Sequence, residues 1–193
     1  MAIHSVCVFC GSRTGTDHSF QDSADRFGRI LAKKGIRLVF GAGSIGLMGI
    51  LARAALDEGG EVLGVIPEHL AVAEIPQFGL SEMRIVDTMH ERKRIMFEES
   101  DGFVILPGGI GTLDEMVEII VWRQLSVHDK PVVVVNLNGF WDPFIELLQH
   151  MIDAQFVGPN AFDLFKVVDD LEDALPAIEA ASPPAFPSSG ELT

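Results

Sequence analysis

The chain predicts a doubly wound α/β domain, a mostly parallel sheet with helices on both faces. Three observations predict it. Short, mostly apolar runs recur at residues 6–9, 36–40, 62–66, 104–106 and 132–135, and no polar alternation interrupts 104–106 or 132–135, as in strands buried on both faces. Segments with helical spacing separate them, and a parallel sheet needs such crossovers. Three of the strands run into unusual loops, Gly11-Ser12-Arg13, Gly41 to Gly46 and Pro107 to Thr112, which a parallel sheet gathers at one carboxyl edge.

The first strand, residues 6–9, is broken by Gly11-Ser12. Ala24, Phe27, Ile30 and Leu31 have helical spacing, giving a helix over about residues 19–34 that stops at Gly35. Residues 36–40 form the second strand, and Gly41 to Gly46 lead into a helix through about Asp57, ended by Gly59-Gly60. The third strand, 62–66, closes at Pro67, which has no N–H to give to a ladder. Mixed polarity and a proline make residues 68–81 an irregular loop. A short strand at 83–86 and a helix at 88–100 precede the central strand, and Gly111 opens a helix to about Leu125. A strand at 132–135, a helix at 141–154, an edge strand at 166–168 and a helix at 171–180 complete the domain. No repeat or linker divides residues 1–181, and the Pro- and Ser-rich segment 182–193 is expected to be a disordered tail.

A length of 193 residues with 48% hydrophobic composition supports one sizeable core. A net charge of −14 argues against a non-specific nucleic-acid binder, which would show a basic face. A few local cations and N–H groups are still enough for one phosphate. No apolar stretch approaches the roughly 20 residues of a membrane span. Met1 to Ser5 lack the basic start of a signal peptide. Neither nucleic acid nor membrane is therefore an expected partner, and the expected location is the cytoplasm. Cys7 and Cys10 form C-x-x-C, but three apart on a strand they face opposite sides, and no second pair follows. No metal and no cofactor is expected.

The chemistry concentrates after the central strand, at Pro107-Gly108-Gly109-Ile110-Gly111-Thr112-Leu113-Asp114-Glu115. The glycines bring a ligand close to bare N–H groups, and the helix start near Gly111 aims its dipole at the same spot. This is a place to hold a phosphate, with Glu115 one turn inside the helix. The plainer account of Thr112-x-x-Glu115 is a capping box, in which Glu115 bonds back to the backbone at Thr112. A cap, however, does not need three glycines at the end of a buried strand.

Gly41-x-Gly43-x-x-Gly46 matches the dinucleotide fingerprint by letter, but it follows the second strand and lacks the acid about 20 residues on that would hold a ribose. A phosphate or nucleotide cradle and tight helix packing are the remaining accounts. Gly43 and Ser44 join Gly11 and Ser12 as candidate substrate contacts. Farther along, Arg92 and Lys93 flank a helical stripe of Met89, Met96 and Phe97, with Glu91, Arg94 and Glu98 opposite. Cations beside an apolar stripe suggest a semi-buried cleft, and the planar fork of Arg92 suits phosphate or carboxylate. The helix from Gly111 is apolar around nearly all its circumference, so one side meets the sheet and the other a second subunit, as in a homodimer.

Together these residues resemble a known family. Pro107-Gly108-Gly109-x-Gly111-Thr112-x-x-Glu115, Met89-His90-Glu91-Arg92-Lys93 and Gly41-x-Gly43-Ser44-x-Gly46-Leu47-Met48-Gly49 are similar to motifs of the "lonely guy" family. These Rossmann-like proteins are cytokinin riboside 5′-monophosphate phosphoribohydrolases, long labelled lysine decarboxylases, and the likeness runs from about Val6 to Phe156. It implies hydrolysis of the N-glycosidic bond of purine nucleoside 5′-monophosphates, AMP included, to free base and ribose 5-phosphate. It also implies substrate contacts from Glu74, Arg92, Lys93 and the loop Gly109, Ile110, Gly111, Thr112, Leu113, Asp114 and Glu115. Val121 stands where plant members have a threonine, which removes one polar contact. No pyridoxal-binding context supports the decarboxylase label.

Breaking a ribosyl C–N bond builds an oxocarbenium-like centre, which a carboxylate stabilises while orienting or deprotonating water. Glu115 is the expected carboxylate and Arg92 the expected catalytic cation. The competing expectation is a nucleotide or cofactor carrier on the same fold, such as the molybdenum cofactor carriers, binding without turnover. Binding alone would not require an Arg92/Glu115 pair.

Overall fold

The apolar runs of the sequence become one parallel sheet. A computed structural model of the chain describes residues 3–74 and 79–181, with the side chains of residues 72–74 outside the description. Its strands are β1 (Ser5–Phe9), β2 (Arg37–Phe40), β3 (Val62–Pro67), β4 (Glu82–Val86), β5 (Gly102–Ile105), β6 (Val132–Val135) and β7 (Lys166–Val168). They lie in the order β4-β3-β2-β1-β5-β6-β7, with every pairing parallel. The chain walks outward from β1 to β4, then returns to β5 beside β1 and walks outward the other way. The crevice beyond the carboxyl ends of β1 and β5 is therefore the switch point where such sheets bind ligands.

Strand alternation sorts the core into two layers. On one face Val6 and Val8 pack with Phe27 and Leu31 of α1 (His18–Lys33), Leu51 and Ala55 of α2 (Gly46–Asp57), and, toward the C-terminus, Leu175 and Ile178. On the other face Cys7 and Phe9 pack with Met96, Met116, Ile119 and Trp141. The two cysteines are free, buried and in separate layers, as their spacing predicts. Gly35 and Gly59 follow their helices with φ of +67° and +76°, the left-handed turn that lets the chain re-enter the sheet.

One segment departs from the expected irregular loop. Residues 68–74 form a short helix, α3 (Glu68–Glu74). Neither Gly nor Pro interrupts it before Pro76, and Leu70 and Ala71 gain burial against the core. The remaining helices are α4 (Met89–Glu98), α5 (Ile110–Gln124), α6 (Asp142–Asp153) and α7 (Ala174–Ala180), the last preceded by a 3-10 turn at Leu171–Asp173 rather than continuing back to Leu171. The expected tail, residues 182–193, lies outside the described residues. No helix among the described residues is long and apolar enough to cross a membrane.

Candidate active site

Glu115 decides how the glycine loop is read. Helix α5 starts at Ile110 with Gly109 as its N-cap and no side-chain cap bond, so Thr112 is already inside the helix. The Thr112 side chain folds over Gly108, where an added Cβ would lie 2.1 Å from Thr112 Oγ1. Glu115 does not turn back to the backbone at Thr112. Its Oε1 accepts a 2.6 Å hydrogen bond from Arg92 Nη1, and both side chains are about nine-tenths buried. The capping-box account therefore fails here. A similar local arrangement occurs at α4, where Thr88 Oγ1 accepts from the Glu91 amide and Glu91 Oε2 accepts from the Asp87 amide.

Arg92 is held from three sides. Its Nε donates to the Val65 carbonyl at the end of β3, and Nη1 to Glu115. Beside Nη2 lies Gly41, where a Cβ would stand 1.9 Å away. The Gly41 to Gly46 loop thus makes room for a guanidinium. Of the two accounts of this loop, close packing is what the geometry carries. The Leu47 and Met48 amides at the start of α2 donate to the Gly11 carbonyl at 3.0 and 3.3 Å, which uses them up as anion donors. Gly46, at φ +65°, lies against the Ser12 backbone, and Gly49 against the Ser44 carbonyl.

Around Glu115 two cations, Arg92 and Lys93, face three carboxylates, Glu115, Asp114 and Glu118. Burial pushes its carboxyl above the ordinary glutamate range, while the Arg92 charge pulls it back. Lys93 Nζ lies 3.2 Å from Asp114 and 2.9 Å from Glu118. Burial works against its charge, but the bonds to Glu118 and Asp114 outweigh burial and hold its ammonium above the usual lysine range. An imine-forming lysine needs the opposite shift, so Lys93 does not fit a pyridoxal partner. Burial, reinforced by Glu115, pushes the Cys10 thiol far up, so it lines the site as a neutral group.

The site is a cleft with two lobes. A cavity of about 260 Å³ is lined by Arg92, Glu115, Thr112, Asp114 and Gly111, with Met48, Leu70 and Met89 as its apolar wall. A second, of about 460 Å³, lies at the switch point between Gly11-Ser12-Arg13-Thr14 and Pro107-Gly108, with Phe20 and Phe140 behind. Ser12, Gly109 and Ile110 line both lobes. Nothing lies within 4 Å of an added Cβ at Gly109 or Gly111, so bare backbone faces open space.

The structure thus brings together Gly11, Ser12, Arg92, Gly109, Ile110, Gly111, Thr112, Asp114 and Glu115. Lys93 stands behind Asp114 and lines neither lobe, and Leu113 instead lines an apolar groove between α5 and α6. Gly43 and Ser44 line neither lobe, because Gly43 packs on Met48 and the Ser44 carbonyl lies against Gly49. Glu74 ends α3, and its side chain lies outside the description. Sequence reasoning missed Leu70 and the two phenylalanines of the walls. They come from segments without any local signal, and only the strand order brings them to the cleft.

Comparison with known proteins identifies the family. The family model described as "Possible lysine decarboxylase" matches residues 48–178. A probable cytokinin riboside 5′-monophosphate phosphoribohydrolase of Oryza sativa subsp. japonica is 40% identical over 178 residues, covering 92% of this chain and 71% of the relative. The cytokinin riboside 5′-monophosphate phosphoribohydrolase of Rhodococcoides fascians is 41% identical over 177 residues, covering 91% and 89%. Among solved structures, the molybdenum cofactor binding protein of the phototrophic bacterium Rippkaea orientalis superposes with a TM-score of 0.69 over 93% of this chain and 98% of its own. At 18% identity that likeness establishes the fold alone. The chain belongs to the family of cytokinin riboside 5′-monophosphate phosphoribohydrolases.

Proposed function

We propose that this chain hydrolyses the N-glycosidic bond of purine nucleoside 5′-monophosphates, of the cytokinin type and AMP, to free base and ribose 5-phosphate. One observation carries the proposal: Glu115, a carboxylate with a raised proton affinity, is paired at 2.6 Å with Arg92 on the wall of a cleft that also exposes bare glycine backbone. As the C1′–N bond breaks, its electron pair leaves with the base and positive charge grows at C1′. Glu115 stabilises that charge and takes a proton from the water that attacks C1′. Arg92 favours the ionised form of the buried carboxylate against its burial and fixes its position. The amides at the start of α5, which no side chain caps, receive the phosphate. A carrier without turnover would have no use for a base held in this way.

The direct experiment is incubation of the protein with AMP and, separately, isopentenyladenosine monophosphate, with chromatographic detection of free base. Base released together with an equal amount of ribose 5-phosphate supports the hydrolase. Nucleotide that binds but stays intact supports the carrier.

The proposal includes a homodimer, in a cytoplasmic setting and without nucleic-acid or membrane partners. Its support is the apolar groove of about 670 Å³ between α5 and α6, walled by Leu113, Val117, Val121, Leu147 and Met151, each more than a third exposed. The occupant is a second copy of this chain. Gly109 and Ile110 border both the groove and the catalytic cleft, so the second copy would sit at the rim of the site.

A further inference from the structure

Arg13 is the cleft residue that the family motifs leave without a role. It is exposed on the loop after β1, it lines the larger lobe, and its side chain has no hydrogen-bond or ion-pair partner among the described residues. The cations nearer to Glu115 are already matched. Arg92 is paired with Glu115, and Lys93 with both Asp114 and Glu118, so two cations face three carboxylates. That set carries no surplus positive charge for a phosphate dianion, in a chain whose net charge is −14. The backbone amides of the glycine loop supply donors but only partial charge. A full, unspent positive charge is offered by Arg13.

The loop beneath Arg13 is fixed although its guanidinium is not. The Gly11 amide donates to the Pro107 carbonyl at 3.0 Å, and the Gly11 carbonyl accepts from Leu47 and Met48. Gly46 presses so closely that an added Cβ would stand 2.2 Å from the Ser12 carbonyl carbon and 2.5 Å from the Arg13 amide nitrogen. Against this clamped base lies Gly108, whose Cα would stand 3.4 Å from an added Cβ at Gly11, and the next residue, Gly109, lines both this lobe and the catalytic one. A side chain anchored here needs only rotamer freedom to meet an anion lying on the amides of the glycine loop.

We infer that Arg13 is the specificity residue for the 5′-phosphate, closing a bidentate contact on a phosphoryl group held at Gly109 to Gly111 from the side opposite Glu115. The inference rests on the proposed hydrolase for its ligand class, a sugar 5′-phosphate. It assigns the phosphate to the switch-point lobe and leaves Arg92 to the carboxylate and the reacting centre. A charge-assisted fork on a phosphate contributes on the order of 10- to 100-fold in binding. A lysine at the same place keeps the charge but loses the fork.

The test uses the full chain with Arg13→Ala and Arg13→Lys, read by calorimetry with ribose 5-phosphate and by steady-state kinetics with AMP and adenosine. The expected result for Arg13→Ala is at least 10-fold weaker ribose 5-phosphate binding and a KM for AMP raised by a similar factor. The kcat should fall much less, adenosine should show no comparable loss, and Arg13→Lys should recover part of the affinity. Unchanged ribose 5-phosphate binding, or equal losses for AMP and adenosine, overturns the assignment. Arg13-dependent binding in a wild-type protein that releases no base would sink the hydrolase and keep Arg13 as a phosphate ligand. Base release that ignores the Arg13 substitutions would do the reverse.

Discussion

Replacing Glu115 with glutamine isolates the chemistry from the packing. Glu115 Oε1 accepts its bond from Arg92 Nη1 at 2.6 Å, and the two side chains are only 11% and 9% exposed. A glutamine amide oxygen can accept the same bond, so the guanidinium keeps its place. What disappears is the negative charge facing the cavity and the ability to take a proton from water. Breaking a buried ion pair costs about 3–5 kcal/mol, of which the retained hydrogen bond to a charged donor returns about 1.5–3. The net loss of stability is then roughly 1–3 kcal/mol, a drop of a few degrees in Tm. The rate should fall by about 10² to 10⁴, the contribution of a positioned acid–base group, or about 3–5 kcal/mol of barrier. Adenine release at saturating AMP measures the rate, and calorimetry checks that AMP still binds. Release within a few-fold of wild type would refute the role given to Glu115.

Gly41→Ala places a Cβ where Arg92 Nη2 now lies, so the guanidinium must swing away from Glu115 and from the Val65 carbonyl; kcat should fall 10-fold or more and the loss of the buried pair should lower Tm by several degrees, and unchanged kcat would refute the positioning role. Arg92→Met leaves Glu115 buried without its cation, raising a carboxyl that burial already holds above the ordinary 4.5. Between 4.5 and that raised value the folded protein keeps a proton that the unfolded chain releases, so stability falls as pH rises through this window. Thermal melts from about pH 4.5 to 8 should show the Tm deficit of Arg92→Met growing with pH, and a flat deficit would refute the account. Val117→Asp combined with Val121→Asp puts two charges on the α5 face of the apolar groove. Light scattering should find half the wild-type mass, and an unaltered mass would remove this face from the interface.

The strands could be read from the sequence because their signal is local. A run such as Val132–Val135, buried at every position, needs no distant partner to declare itself a strand covered on both faces. Gly35 and Gly59 mark helix ends through their own backbone angles. Helix α3 escaped because seven residues of mixed polarity carry too little periodicity to outweigh a nearby proline. The Gly41 loop escaped for a different reason. Its letters suit a phosphate cradle, yet what fills the space beside Gly41 is a side chain from the helix after β4.

Composition, apolar period and glycine placement determine, without any coordinates, that this chain folds as alternating strands and helices and gathers its glycine loops at one edge. The partner of Glu115 was not determined that way. A local bond to its own helix start and a bond to an arginine 23 residues earlier are equally compatible with the order of the residues. Tertiary structure chooses the second. The strand order sets β3 and the start of α5 on either side of α4, and burial then leaves the Arg92 charge no cheaper counterion than Glu115.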